Sequence, residues 1–203
     1  MDPSFWNSRF DRDEPVYGTA PNAFLASHAD RLPEDGAVLD LAGGEGRNAL
    51  FLANQGYDVT LLDYSEVALE KATAWAEREG VSLTTLHADI TTWAPERTWD
   101  AVVATFVHLP VQWQPRLYQI MQTALAPGGV IIAEWFRPAQ RAEGYTSGGP
   151  PDINMMVTAD DLRAAFDPQG IVHLKTTLAD LDEGEGHQGT GAVVRLIWEK
   201  PDA

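Results

Sequence analysis

The stretch Val38-Leu-Asp-Leu-Ala-Gly-Gly-Glu-Gly-Arg-Asn-Ala49 limits the possible folds more than any other part of the chain. An apolar run ends on an acid, a glycine-rich turn follows, and a helical apolar spacing begins at once. Glycines in such a turn permit backbone conformations closed to other residues and let a ligand approach the main chain. The first N–H groups of the next helix have no partner inside it and are free to donate. Gly44-Glu-Gly46-Arg-Asn-Ala49 also satisfies G-x-G-x-x-A, the dinucleotide fingerprint. The competing reading is a turn whose glycines serve only helix–strand packing.

Periodicity extends this strand–turn–helix unit along the chain. Strands are predicted at 37–41, 58–62, 83–86, 100–105 and 130–135, with helices at 48–54, 66–79 and 115–125 between them. Ser65 is a natural N-cap for the second of these helices and Gly80 closes it. Strands alternating with helices imply a parallel sheet with right-handed crossovers. Residues 137–154 read as a long loop, and Thr158 with Asp161 as a capping box before a helix at 160–166. Two strand-like runs follow at 171–178 and 192–199, with no helix between them, so they should pair antiparallel. The expected fold is α/β: a Rossmann-like, doubly wound, mostly parallel sheet with a C-terminal antiparallel strand pair, in one domain of 203 residues. Residues 1–35 form an extension carrying Phe5, Trp6, Phe10 and Tyr17, with a Pro21-led helix at 22–31. It reads as a lid over the sheet edge or as a plain surface helix with packing aromatics.

Composition narrows the chemistry. Cysteine is absent, which removes disulfides, thiolate metal sites and cysteine nucleophiles. The histidines are scattered without ligand spacing, so no metal is expected. A net charge of −16 disfavours nucleic acid and anionic membrane surfaces as partners. No apolar run approaches the ~18 residues of a membrane span, and residues 1–10 have no apolar signal core, which points to the cytoplasm.

Three further constellations lie at predicted strand ends, where open α/β sheets bind ligands. Asp63 ends the second strand, and an acid there can accept both ribose hydroxyls of an adenosine group. Tyr64 and Ser65 follow it, and Tyr64 is suited to lie along the ribose or base. After the third strand, Asp89 can accept the adenine exocyclic amine while Ile90 packs on the ring. The fourth strand ends at Thr105-Phe106, and His108 follows as a general base, a substrate contact or a structural hydrogen-bonder.

Together these parts resemble the class I S-adenosylmethionine-dependent methyltransferases, whose motifs occur here in order, including Leu125-Ala-Pro-Gly-Gly129 before the fifth strand. The family's first glycine is Ala42, with Gly43, Gly44 and Gly46 following; Ala suffices there if the backbone needs no positive φ. Phe5-Trp-Asn-Ser-Arg-Phe10, Tyr17-Gly-Thr-Ala-Pro-Asn22, Gly44-Glu-Gly-Arg-Asn48 and His187-Gln-Gly-Thr-Gly-Ala-Val-Val-Arg195 look like the small-molecule branch that includes tellurite-resistance and thiopurine-type enzymes. The resemblance implies S-adenosylmethionine as cofactor and a lid that closes over it. It puts Trp6, Arg9, Tyr17 and Gly18 near the methionine half and Arg47 or Asn48 near the carboxylate.

The implied reaction needs alignment and exclusion of water. Tyr17, Trp6 and Phe106 can favour a sulfonium. A soft nucleophile, such as a thiolate or a selenium or tellurium species, needs no protein base; a hydroxyl or amine would call on His108 or His187. Arg137 is a candidate for holding an anionic acceptor or for a surface ion pair. The rivals are a nicotinamide-dependent oxidoreductase, which the glycine turn and Asp63 also fit, and a non-catalytic nucleoside-binding module.

Overall fold

The computed structural model describes residues 3–201. Seven strands form one sheet in the order β3-β2-β1-β4-β5-β7-β6. Strands β1 (Ala37–Leu41), β2 (Asp58–Asp63), β3 (Thr84–His87), β4 (Trp99–Thr105) and β5 (Leu125–Phe136) run parallel. Then β7 (His187–Glu199) pairs antiparallel with β5 and with β6 (Ile171–Glu183). The expected architecture is therefore the observed one.

Alternation along the strands builds the two faces. Val38, Leu61, Val103 and Ile132 face one way, against α3 (Arg47–Asn54), α4 (Glu66–Glu79) and the short α2 (Ala23–Ala26). Leu39, Leu62, Val102 and Ile131 face the other, against α5 (Gln114–Thr123) and α7 (Ala159–Ala165). Because both faces are covered, the parallel strands read as unbroken apolar runs. The capping box of α7 forms as the sequence indicates: the Thr158 hydroxyl accepts from the Asp161 N–H and the Asp161 carboxylate accepts from the Thr158 N–H.

Several boundaries differ. Strand β5 begins at Leu125 and carries Pro127-Gly128-Gly129 inside it, with an irregularity in its pairing to β4 opposite Trp99–Ala101. The predicted loop at 137–154 contains α6 (Ala139–Ala142) and most of a 3₁₀ turn at Ile153–Met155. The predicted helix at 22–31 is broken into α2 and a 3₁₀ turn at Ala29–Arg31, because the Ser27 and His28 side chains bond back to the Phe24 carbonyl. The helix α1 (Pro3–Phe10) was not anticipated. The antiparallel strands are 13 residues each and meet in a tight turn at Gly184–Gly186, where a long connector was expected. No helix among the described residues is long and apolar enough to cross a membrane.

Candidate functional site

The glycine turn between β1 and α3 opens the site. Ala42, Gly44 and Gly46 have φ of 54°, 58° and 86°. The backbone at position 42 does need a positive φ, so alanine there stores strain on the order of 1–2 kcal/mol. Gly43 has another reason to be glycine: a Cβ would sit 2.3 Å from Asp40 Oδ2. Gly46 packs rather than binds, since its Cβ would fall 2.9 Å from that of Ala72.

Asp63 braces the turn. Its Oδ2 accepts the Gly44 N–H and its Oδ1 accepts the Ser65 N–H, both at 2.8 Å. Burial raises its pKa and those backbone donors oppose the rise. The two bonds leave lone pairs on both oxygens for a diol.

A cavity open at one side lies over the carboxyl ends of β1, β2 and β4. Ala42, Gly43, Gly44 and Asp63 form its floor, with Tyr64, Asp89 and Ile90 at one end. Asp89 Oδ1 is already bonded to Thr91 through its N–H at 2.8 Å and its hydroxyl at 2.7 Å. Thr105, Phe106, His108 and His187 form the other end. Trp6, Tyr17 and Gly18 cover it, joined by Phe10, whose ring stacks on Trp6 with centroids 5.7 Å apart.

Some expected ligand groups are committed elsewhere. Ser65 caps α4 and donates to Asn7 Oδ1 at 2.7 Å, tying α1 down from outside the cavity. Arg47 lines the cavity, but its guanidinium pairs with Glu183 at 2.7 Å and the Ala20 carbonyl at 3.2 Å. Asn48 accepts the Asn22 N–H and donates to the Thr105 hydroxyl. Arg9 is exposed and, among the described residues, reaches Tyr17, donating to its hydroxyl at 3.2 Å. Arg137 is not among the lining residues, so the structure does not bring it to the site.

The two candidate bases differ. His108 is held between the Met155 carbonyl at Nδ1 and the Phe136 N–H at Nε2. Burial pushes its pKa down to about 4. With both nitrogens engaged, it is the structural hydrogen-bonder of the three readings. His187 sits among aromatic rings, with centroids 4.3 Å from Phe106 and 4.6 Å from Tyr17. Its Nδ1 faces Glu183 Oε2 at 3.3 Å, so the proton resides there and Nε2 keeps its lone pair. Burial lowers its pKa, and Glu183 opposes that shift.

Glu183 and Glu45 were missed. Glu183 lies near the start of the run 181–190 that joins the two predicted strands, four residues before His187, and that spacing was the available signal. Glu45 stands inside the glycine turn, where the glycines carry the ligand signal and the acid adds none of its own.

Asp40 lies beneath the turn, fully buried, with neither oxygen bonded among the described residues. Burial is the main cause that raises its pKa to about 7. In the unfolded chain it ionises near the ordinary value of 3.8. Stability from this group is therefore complete below about pH 4 and is lost as pH rises towards 7, by at most about 4 kcal/mol. Asp40→Asn should flatten that slope and be the more stable protein at pH 8. Urea midpoints at pH 5 and 8 measure it, and an unchanged difference between them would contradict the buried-charge account.

Residues 38–129 match the family model described as a methyltransferase domain. Over that stretch the chain is similar to S-adenosylmethionine-dependent methyltransferases. A relative in Haemophilus influenzae, the probable S-adenosyl-L-methionine-dependent methyltransferase TehB, is 34% identical over 47% of this chain and 35% of its own length. The tRNA 5-carboxymethoxyuridine methyltransferase of Escherichia coli is 31% identical over 61% of this chain and 51% of its own. The chain thus spans about a third to a half of the length of those relatives. The solved structure reported for "Conversion of a Disulfide Bond into a Thioacetal Group during Echinomycin Biosynthesis" superposes with a TM-score of 0.72 at 21% identity, covering 98% of this chain and 92% of that one. That likeness concerns the fold, and it includes the N-terminal segment and the antiparallel ending. The similarity favours the methyltransferase reading over the nicotinamide-dependent alternative.

Proposed function

We propose that this chain transfers the methyl group of S-adenosylmethionine to a small, soft nucleophile, a thiol or a selenium or tellurium species. The observation that carries the reading is the make-up of the cavity's far end: Tyr17, Phe106 and the two neutral histidines His108 and His187, of which His187 keeps a free lone pair, with the nearby guanidinium of Arg47 already paired. Such a wall suits a polarisable, weakly hydrated acceptor better than a strongly anionic one.

The glycine turn, the Asp63 carboxylate and a cleft at the carboxyl ends of the strands suit an adenosyl group. Asp63 would accept from the ribose, Asp89 and Ile90 would meet the base, and Trp6 with Tyr17 would cover the methionine half. When bound, S-adenosylmethionine supplies a methyl group already activated on a sulfonium. The chain's own work is to exclude water with its aromatic cover and, where the acceptor arrives as a protonated thiol rather than an anion, to remove one proton. His187 Nε2 takes that proton from the acceptor, and Glu183 stabilises the imidazolium formed.

The tRNA-methylating relative does not extend to this chain in our reading, because a net charge of −16 opposes a polyanionic acceptor. Release of S-adenosylhomocysteine is measured across thiols, selenite, tellurite, amines, phenols and tRNA. Turnover confined to the sulfur, selenium and tellurium acceptors is the expected result. Preference for tRNA, phenols or amines would overturn it, and cofactor binding without turnover on any acceptor would favour the nucleoside-binding module. His187→Gln should lower kcat about a hundredfold on a protonated thiol and less as pH approaches the acceptor's own pKa; a pH-independent loss would remove the base role.

A further inference from the structure

Glu45 is buried in the glycine turn, yet its carboxylate serves the N-terminal segment. One oxygen accepts the Val16 N–H at 2.8 Å, and the other pairs with Lys71 Nζ. Lys71, on α4, also donates to the Phe10 carbonyl at 3.2 Å and the Arg12 carbonyl at 2.8 Å. These carbonyls sit at and just beyond the end of α1, where a helix leaves acceptors unpaired and partial negative charge collects. The chain between these anchor points carries Phe10 and leads into Tyr17, both of which line the cavity. Two charged side chains thus fasten the cover at its two ends, one of them rooted in the turn that forms the cavity floor.

We propose that Glu45 and Lys71 form a latch that holds the N-terminal segment shut and sets how fast the nucleoside enters and leaves. This rests on the cofactor reading above. Lys71 is a positioning residue: it is not among the cavity's lining residues and acts through Glu45 and the α1 carbonyls. The Lys71 side chain is about a quarter exposed, so the latch is strong enough to order the segment and weak enough to open. Val16 and Gly18 also rest on the β6–β7 turn, through the Gly186 N–H to the Val16 carbonyl at 2.9 Å. Releasing the latch therefore frees one side of the segment while the other stays docked.

The test uses Lys71→Met, which keeps the apolar stem and the helix, with Lys71→Arg as the conservative variant. Hydrogen exchange is followed at residues 10–18 without added nucleoside, and S-adenosylhomocysteine dissociation is followed by rapid displacement. In Lys71→Met, both rates should rise about tenfold or more, the scale of one charge-assisted hydrogen bond, and Lys71→Arg should restore most of each. Unchanged exchange at 10–18 would overturn the latch, as would a rise shared equally by the β4 amides, which marks general loosening. Faster exchange with unchanged dissociation would overturn the gating role. Wild-type protein that binds no S-adenosylhomocysteine would overturn the cofactor reading and the gating with it, while the exchange data still decide the latch.

Discussion

Asp63→Ala is expected to weaken S-adenosylhomocysteine binding by at least about a hundredfold, as measured by calorimetry. The substitution does two kinds of damage. It removes the acceptor offered to the ribose, where hydrogen bonds to a charged group contribute about 1.5–3 kcal/mol each. It also strips the Gly44 and Ser65 N–H groups of their partner and so releases the turn that forms the cavity floor. Asp63→Asn separates the two effects, because one amide oxygen can brace only one of those donors. It should fall between wild type and alanine. Affinity within a few-fold of wild type in the alanine variant would remove Asp63 from the site.

Gly148→Ala is expected to cripple the acceptor end of the cavity. Gly148 has φ of +127°, and a Cβ there would lie 2.5 Å from His187 Cδ2, 2.9 Å from the Gly186 carbonyl and 3.1 Å from Phe136. Two of these neighbours cannot yield cheaply. The Gly186 carbonyl belongs to the turn that carries the N-terminal cover, and Phe136 is fully buried. His187 must move, which disturbs its contact with Glu183 and with the Tyr17 and Phe106 rings. Turnover should fall at least tenfold, and the melting temperature should drop by several degrees for the ~2 kcal/mol of strain and overpacking. The loop keeps its own shape meanwhile, because Arg141 donates to the Gly149 and Pro150 carbonyls and Gln140 to that of Gly148. Wild-type turnover in Gly148→Ala would show that His187 has room to shift without consequence.

What the sequence discloses follows from how each part is stabilised. The parallel strands are legible because both faces are covered, leaving uniform apolar runs between glycines and acids. The glycine turn and Asp63 are legible because they need particular residue types at particular strand ends. The cover is not: α1 is only eight residues, and its order depends on distant partners at Lys71, Ser65 and Tyr17. The long ends of β6 and β7 escape notice for a related reason. At these ends burial still alternates, but Asp180, Asp182, Glu183, Gln188, Gly189 and Gly191 supply charge, polarity and glycine, so the run looks like a connector. The roles of Arg47 and His108 were not readable either, since an unpaired cation and an engaged one have the same sequence; only Glu183 and Met155, remote along the chain, decide between them.

The position of β7 bears on how the molecule matures as it is made. This strand lies between β5 and β6, so the sheet has a gap until residues 187–199 arrive, later than every other strand. The turn before it is also the seat for Val16 and Gly18. During synthesis the half of the sheet that carries the glycine turn can therefore assemble while the cover, although translated before it, still lacks one of its two supports. Nascent chains halted before Gly184 should hold a formed glycine turn and an open mouth, and the enclosed chamber should arise only with the last strand.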